Sequence, residues 1–571
     1  MSLKDKIVRR ILSVLLPLTF VLVMILGISV AVHVNTNDYL TFTGTQDFTI
    51  STTKGWNGTL EYSTDGTTWT VWNRDDDSEI SSKNKKLYLR GSGNNKITCD
   101  SGIDPEGWHI TTNGTVACSG DIRMLLDYNN PDGTKMDDHC FSKMFEKCAV
   151  LTTAPELPAT TLADGCYKDM FEGCTGLTMA PELPATTLAD SCYWGMFSEC
   201  SGLTEAPNLP ATTLACNCYL DMFSGCSGLT EAPNLSATTL ADNCYAWMFE
   251  GCIGLTRAPE LPATTLAYYC YLDMFSGCNG LTEAPNLPAT TLAGGCYVGM
   301  FSGCSGLIEA PNLPATTLAG YCYSDMFSEC IGLTRAPELP ATTLTDGCYA
   351  CMFEGCTGLT RTPDLPGTTL AYNCYVGMFS GCSGLTEVTN LPATTLTDSC
   401  YMEMFKECTG LTRAPELPGT TLADNCYLGM FSECSGLTEA PNLPATTLAD
   451  WCYDCMFYGC SGLTEAPSLP ATTLADGCYA FMFAGCSGLT EAPNLPATTL
   501  ADCCYYSMFC DCSSIKISET KSDEYNIEYR IPSFGEGVRT DDILYHMFDG
   551  TGGTFKGTPD INKTYYLSAS N

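Results

Sequence analysis

The chain has 571 residues, and its 64 acidic and 27 basic residues give a formal net charge of −37. This shortage of basic residues excludes a nucleic-acid-binding protein, because phosphate recognition needs a basic surface. With 45% hydrophobic and 10% aromatic residues, the chain can form a packed core. The chain also contains 37 cysteines, and their placement governs the fold prediction.

The N-terminal segment is strongly apolar. Residues 11–34 follow four basic residues and are almost uninterrupted in apolar character. A helix of that length spans roughly 36 Å, enough for a hydrocarbon layer of ~30 Å. We therefore expect a cytoplasmic tail at 1–10, a transmembrane anchor at 11–34 and a single-pass membrane protein exposed on the cell surface. The small residues at 29–31 also fit a cleaved signal peptide, which would make the protein secreted.

The next segment, 36–128, has the composition of a small all-β domain. Short runs rich in β-branched and aromatic residues, such as TLEYS and TWTVW, alternate with turn residues. Between these two runs stands Thr64-Asp65-Gly66-Thr67, whose Asp-Gly pair is a strong hairpin signal. The segment is therefore predicted to contain a hairpin at this turn.

The rest of the chain is dominated by a repeat. Cysteines recur every 26 residues, fifteen times, from Cys140 to Cys504, and each is followed eight residues later by another cysteine. The unit reads CYxxMFxxCxxLTxAPxLPATTLAxx, and its positions are numbered here from the first cysteine. A fixed period of this length is typical of a solenoid. We expect one solenoid domain at 137–515 and a C-terminal cap at 516–571, where the period is lost.

The unit is predicted to contain a helix. At ~100° per residue, positions 1, 2, 5, 6 and 9 share one face, while the variable positions 3, 4, 7 and 8 lie on the other. The following LT segment favours a short strand ended by proline, and LPATTL an extended return. The fold prediction is an α/β, leucine-rich-repeat-like solenoid of about fifteen helix-plus-short-strand units, preceded by a transmembrane helix and a small all-β domain.

The repeat resembles the BspA-type leucine-rich-repeat surface proteins of bacteria. The resemblance rests on segments such as MFSGCSGLT at 222–230, followed by a strand that ends at proline. It implies a leucine-rich-repeat fold and attachment to molecules of a host or a neighbouring cell. The unit is longer than is usual in that family, and its second cysteine stands where isoleucine is common.

The thirty cysteines of the repeat are predicted to be buried free thiols that act as small hydrophobic residues. Helices packed at ~8–10 Å would keep the first cysteine column too far apart for disulfides, while occasional bridges in the second column remain possible. No close cysteine spacing suggests zinc or an iron–sulfur cluster, so no cofactor is expected. Five further cysteines at variable positions are predicted to react or cross-link: Cys216, Cys351, Cys455, Cys503 and Cys510.

Two positions of the unit exchange charge together. Where position 14 is arginine, as at Arg257, position 17 is acidic, as at Glu260; where position 14 is Glu283, position 17 is Asn286. This pattern predicts that the two positions are neighbours on the surface. The rows either form a binding face or avoid like-charge repulsion between stacked units.

No catalytic motif is recognisable, and the four histidines are scattered, so an enzyme is not expected. Large and mostly apolar side chains at variable positions are predicted to be exposed and to bind a partner. These are Lys168, Trp194, Leu220, Trp247, Leu272, Met402, Leu428 and Tyr506. The predicted function is a cell-surface adhesion or recognition protein whose partner is a protein or glycan on another cell or matrix; the alternative is a structural spacer or a self-associating display stalk.

Overall fold

A computed structural model describes residues 39–52, 55–73, 79–98, 107–532 and 540–568. The predicted cytoplasmic tail and the apolar segment 11–34 lie outside these residues. Within them, no helix is long and apolar enough to cross a membrane. Their two α-helices have four residues each, where a membrane span needs ~20. The described residues therefore do not support the prediction of a single-pass membrane protein, which is corrected to this extent.

Nine strands lie nearest the N-terminus: β1 (Leu40–Gly44), β2 (Thr49–Ser51), β3 (Thr59–Ser63), β4 (Thr70–Val71), β5 (Ile80–Ser81), β6 (Lys86–Ser92), β7 (His109–Thr111), β8 (Val116–Ser119) and β9 (Leu151–Thr153). They form a six-stranded sheet of order β4-β3-β6-β1-β8-β9 and a three-stranded sheet of order β5-β2-β7. β8 pairs in parallel with β9, which belongs to the first repeat unit. The sheet thus continues into the repeats, past a short helix α1 (Met124–Asp127) and a 3-10 turn (Pro131–Gly133).

The predicted hairpin is confirmed. β3 and β4 pair antiparallel, and the Asp65 carboxylate accepts the N–H groups of Thr67 at 2.8 Å and Thr68 at 2.7 Å in the turn between them. These backbone N–H groups hold the pKa of Asp65 well below its usual value. The Asp65 carboxylate therefore holds the turn of the hairpin through hydrogen bonds to the backbone two and three residues later.

The repeat units contain no α-helix in the part of the chain that the structure describes, so the predicted helix-plus-strand solenoid is wrong. Positions 1 to 9 form a ribbon of overlapping turns, in which every second N–H donates to the carbonyl three residues earlier, as from Met170 to Tyr167 at 3.2 Å. The intervening N–H groups donate to the next unit, as from Phe171 to Met196 at 2.9 Å. Neighbouring units therefore lie at the strand spacing of ~4.8 Å and not at the ~8–10 Å of packed helices.

The helix prediction failed because nine residues do not distinguish a period of 3.6 from a period of four. Positive φ recurs at positions 26, 4 and 8 of the units, for example at Gly165, Asp169 and Gly173. A four-residue period also buries positions 1, 2, 5, 6 and 9, and these side chains are buried throughout the stack. The predicted burial of the cysteine, tyrosine, methionine and phenylalanine columns is confirmed, although the element that carries them differs.

The residue types at the positive-φ positions agree with this backbone. The fifteen units provide 45 such residues, of which 17 are glycine, 4 asparagine and 5 aspartate, and none is valine, isoleucine or threonine. Glycine, asparagine and aspartate tolerate the left-handed region best, whereas β-branched residues are excluded from it by steric clash. The variable positions of the unit are thus restricted by backbone geometry as well as by exposure.

Two aromatic columns run through the core of the stack. Tyrosines at position 2 stack with ring centroids 5.6–5.9 Å apart, and phenylalanines at position 6 with centroids 5.6–5.8 Å apart. Towards the N-terminus the phenylalanine column ends on Trp108, whose ring meets Phe145 at 6.4 Å, with Trp72 and Trp56 beyond it. The tryptophans therefore close one end of the core against water.

The extended part of each unit pairs with its neighbours only at single points. Isolated parallel bridges join threonines at position 22, such as Thr161 with Thr187, and residues at position 14, such as Arg361 with Glu387. A short strand was predicted in every unit, but the described repeats contain only one regular strand, β9. The prolines at positions 16 and 19 explain this, because they cannot donate to a continuous ladder.

The C-terminal residues close the other end of the stack. β10 (Lys516–Ser518), β11 (Tyr525–Arg530), β12 (Gly552–Gly553) and β13 (Thr564–Ser568) form a sheet of order β11-β13-β10-β12, with a short helix α2 (Thr540–Ile543) between β11 and β12. Ser507 donates its N–H to Tyr545 at 2.9 Å, and Phe548 stacks on Phe509 at 5.6 Å. Residues 543–549 therefore continue the stack as a partial unit.

Gly251 tests the left-handed backbone, because its φ is +66° and an added Cβ would meet nothing closer than 3.9 Å. We expect Gly251→Val to lower the stability of the stack by about 1–2 kcal/mol through backbone strain alone. Gly251→Asn, which adds a side chain of similar size, should cost clearly less. Thermal unfolding followed by circular dichroism measures both variants, and equal losses would contradict the left-handed assignment.

Candidate functional site

The eight predicted binding residues are less accessible than expected. Leu220 is buried, the other seven are half-buried, and none is exposed. The ammonium of Lys168 lies 3.5 Å from the centre of the Trp194 ring in the next unit. At strand spacing, side chains at position 3 cover one another, whereas on a helix they would have pointed separately into solvent. The structure therefore does not present these residues as an open binding face.

The thirty repeat cysteines are buried and unpaired, as predicted. The predicted distance between neighbouring cysteines of the first column was nevertheless wrong, because it assumed the ~8–10 Å spacing of packed helices. Burial raises the pKa of these thiols, to about 12 for Cys192, Cys278 and Cys434. The thiols are therefore protonated at neutral pH and shielded from reagents, and their role is structural.

The second cysteine column has a function that its sequence spacing did not reveal. The thiol of Cys278 donates to the carbonyl oxygen of Phe249 in the preceding unit at 3.0 Å, and the same oxygen accepts the N–H of Cys252 at 3.1 Å. This bond recurs fourteen times along the stack at 2.9–3.1 Å. Cysteine is required here because it is both a small apolar residue and a hydrogen-bond donor.

The five additional cysteines are half-buried. Burial, followed by the charges of Asp325 and Glu354, raises the pKa of Cys351 to about 12, and burial with Asp454 does the same for Cys455. Because the thiolate is the reactive form, these two thiols are poor nucleophiles at neutral pH. The predicted reactivity of Cys351 and Cys455 is therefore not supported.

One group of possible metal ligands occurs in the described part of the chain. The ligand atoms of Asp325, Cys351 and Glu354 lie within 4.8 Å of one another, and all three residues are half-buried. The spacing within a unit did not reveal this group, because its members come from adjacent units. The raised pKa of the thiol means that a cation would have to displace its proton before binding.

Two arginines at position 14 pair with glutamates of the next unit. Arg361 lies 4.0 Å from Glu387, and Arg413 lies 3.5 Å from Glu439, at the same position of the next unit. The four side chains are between 66% and 77% exposed, so each pair contributes at most about 1 kcal/mol. Like charges are adjacent elsewhere in this column, as at Glu439 and Glu465, so these pairs do not decide between a binding face and the avoidance of repulsion.

Shallow grooves lie on the face that carries the APxLP segments. One of about 490 Å³ lies between residues 152–158 and 178–184, and another of about 810 Å³ between residues 334–340 and 360–366. The first is mostly apolar, and the second contains Arg335 and Arg361. The grooves recur because the prolines prevent adjacent segments from closing into a continuous sheet.

A more specific feature lies at the junction, defined as positions 25 and 26 of each unit. Position 25 is usually aspartate, whose carboxylate accepts the N–H of position 25 in the next unit, as from Asp476 to Asp450 at 3.0 Å. Six such bonds connect the junctions. We call these position-25 aspartates the aspartate row. Their carboxylates hydrogen-bond backbone N–H groups that otherwise meet only solvent, and the row thereby supports the backbone.

The aspartate row is interrupted in the middle of the stack. Position 25 is Tyr268, Gly294 and Gly320 in three successive units, and Tyr372 two units later. The exposed side chains here form what we call the tyrosine patch: Tyr268 (61% exposed), Tyr269 (43%), Tyr321 (45%) and Tyr372 (49%). The patch is therefore uncharged and aromatic where neighbouring junctions carry carboxylates.

Glycines of the next unit lie against three rings of the patch. A Cβ added at Gly294 or Gly295 would overlap the ring of Tyr268 or Tyr269, and one at Gly347 the ring of Tyr321. Each ring therefore lies across the backbone of the next unit and leaves its other face to solvent. The sequence signal was present but overlooked: an aromatic residue at position 26 is followed by glycine 26 residues later, as also for Trp451 and Gly477.

The buried thiols make the stack sensitive to alkaline pH. Their pKa in the folded protein, about 12 for Cys278, exceeds the ~8.5 of an unfolded chain, so the folded state binds protons more tightly. This contribution to stability is complete below about pH 8.5 and is lost as pH rises towards the folded value. We expect the thermal midpoint to fall progressively between pH 8 and 11, while a midpoint independent of pH would contradict the burial of the thiols.

Comparison with known proteins provides no relative. No family model, no curated protein and no solved structure matches the chain. The resemblance to BspA-type proteins therefore remains an expectation from the repeat sequence, and the functional argument rests on the residues of the stack.

Proposed function

We propose that this chain is a non-catalytic recognition protein, used in adhesion, whose stacked units hold the tyrosine patch as a binding surface for a partner on another cell or a matrix. The observation that carries the proposal is the loss of the aspartate row at Tyr268, Gly294 and Gly320, together with the appearance of exposed tyrosine rings in that part of the stack. The BspA-type resemblance favours the same class of function.

The substitutions at the patch weaken the fold locally. Tyrosine and glycine offer no carboxylate to the N–H of the next junction, and a glycine also leaves the unfolded chain more freedom. The tyrosine rings pack on the glycine backbone of the next unit but do not replace the missing hydrogen bonds. Residues that reduce local stability in this way are expected at functional sites.

The negative charge of the chain restricts the charge that a partner can carry. The chain carries a net charge of −37, and the carboxylates of Asp242 and Asp346 stand next to the patch. A strongly anionic partner would be repelled, whereas a neutral one can approach the uncharged rings. The proposed partner is therefore a neutral or cationic molecule that presents a flat, partly apolar surface.

Restoring the aspartate row should stabilise the stack. At Gly320 an added Cβ would meet only the Asp346 carbonyl at 3.6 Å, so there is space for a side chain. In Gly320→Asp the new carboxylate can accept the Asp346 N–H, and we expect a gain of about 0.5–1 kcal/mol. Gly320→Asn, with a weaker acceptor, should gain less in the same thermal unfolding experiment. A loss of stability in Gly320→Asp would contradict the support role of the row.

The function is tested by a variant that replaces the patch with residues found at the same positions of other units: Tyr268→Asp, Tyr321→Asn and Tyr372→Asp together. Because Asp and Asn occupy these positions elsewhere, the fold should be retained. We expect the full chain to bind a subset of arrayed cell-surface and matrix proteins and glycans, and the variant to bind them at least tenfold more weakly.

The control is Tyr458→Ser, since Tyr458 is 41% exposed at position 7, where serine is common in other units. This variant should bind like the unmodified chain. Equal binding by the patch variant, or binding of nothing by the unmodified chain, would contradict the proposal and favour the alternative of a structural spacer.

A further inference from the structure

We propose that the tyrosine patch binds a neutral, extended polysaccharide whose sugar rings stack on the tyrosine rings along the axis of the stack. This inference rests on the proposed recognition function and specifies the chemical class of its ligand. The ligand chemistry is a chain of uncharged pyranose rings with flat apolar faces and mostly equatorial substituents, as in β-1,4-linked glucans, mannans and chitin.

The tyrosine rings that lie on a glycine of the next unit, which we call platforms, are held in a form suited to sugar binding. The Tyr269 ring lies against Gly295 and the Tyr321 ring against Gly347, so each ring is held on backbone while the residue stays 43–45% exposed. An aromatic ring held in this way offers a flat, weakly negative surface to the C–H groups of a sugar. A ring that was free to rotate would lose entropy on binding, and the glycine support reduces this cost.

The second argument is the spacing of the platforms. Tyr269 and Tyr321 both stand at position 26, two units apart; Tyr372, two units further on, is exposed at position 25, and the residue 26 positions after it is Asp398 and not glycine. At ~4.8 Å per unit, successive platforms are separated by about 10 Å along the stack. One unit is comparable in length to one pyranose residue of an extended chain. Because successive sugars of a β-1,4-linked chain face opposite ways, every second sugar would present the same side to a platform.

The third argument is the distribution of hydrogen-bonding groups. The exposed carboxylate of Asp346 lies at the junction between those of Tyr321 and Tyr372, and Asp242 precedes the patch. Carboxylates beside aromatic platforms can accept hydrogen bonds from sugar hydroxyls. A cationic peptide would be attracted most strongly to the uninterrupted aspartates at position 25 from Asp398 to Asp502, whereas the patch retains only Asp346 between its tyrosines, which favours a neutral ligand.

The experiment measures binding of defined oligosaccharides to the full chain by titration calorimetry. The probes are cellohexaose, mannohexaose and chitohexaose as neutral extended chains, maltohexaose as a neutral helical chain, and hexagalacturonate as an anionic chain. We expect at least one extended neutral hexasaccharide to bind, the corresponding disaccharide to bind at least tenfold more weakly, and hexagalacturonate not to bind.

Variants of Tyr321 identify the contact. Tyr321→Asn, which leaves the charge unchanged and matches Asn373 at the same position, should lower the affinity at least tenfold. Tyr321→Phe keeps the ring face and should change the affinity less than threefold, and Tyr458→Ser should not change it. Thermal unfolding of each variant shows whether the fold is retained.

Failure of this inference is distinguishable from failure of the proposed function. If no neutral hexasaccharide binds, or if Tyr321→Asn binds as well as the unmodified chain, the polysaccharide assignment is wrong. If arrayed proteins still bind in a patch-dependent manner, the recognition function stands with a protein partner. If neither class of probe depends on the patch, both proposals fail.

Discussion

The structure depends on amide hydrogen bonds that run along the stack. In each repeat, the N–H groups of positions 26, 2, 4, 6 and 8 reach forward to the next unit, while those of positions 1, 3, 5, 7 and 9 close turns within their own unit. Every amide of this segment is satisfied without a helix or a regular sheet, as buried backbone requires. The forward bonds set the distance between units at that of paired strands.

This short spacing decides which side chains the columns can contain. Each residue lies directly against the residue at the same position of the adjacent units, so the side chains of one column must be able to pack against one another. Rings satisfy this condition by offset stacking, and thiols do so by remaining neutral and donating to the carbonyl of the preceding phenylalanine. Charged residues do so only at the surface, where Arg361 pairs with Glu387 and where neighbouring carboxylates such as those of Asp450 and Asp476 are exposed to solvent.

Part of this arrangement could be predicted from the sequence and part could not. The repeat register, the burial of residues such as Tyr167 and Phe171, the free thiols and the Asp65 hairpin followed from periodicity and turn chemistry. The ribbon did not, because a nine-residue burial pattern fits both a helix and a four-residue period; the glycines and asparagines at positions 26, 4 and 8 were the signal that distinguishes them. The tyrosine patch was missed because its evidence lies in pairs of residues 26 apart, such as Tyr321 and Gly347, and acquires meaning only when the units stack at strand spacing.

The forward amide bonds also make the units interchangeable. Each unit offers the same five donors to the unit after it and the same five acceptors to the unit before it, and the tryptophans and the C-terminal sheet pack on units at the two ends of the stack. A gene duplication or deletion of one whole repeat would therefore lengthen or shorten the stack by one step without creating a new interface. Recombination between near-identical copies could thus change the reach of the protein, and the distance of the patch from either end, while leaving its core unaltered.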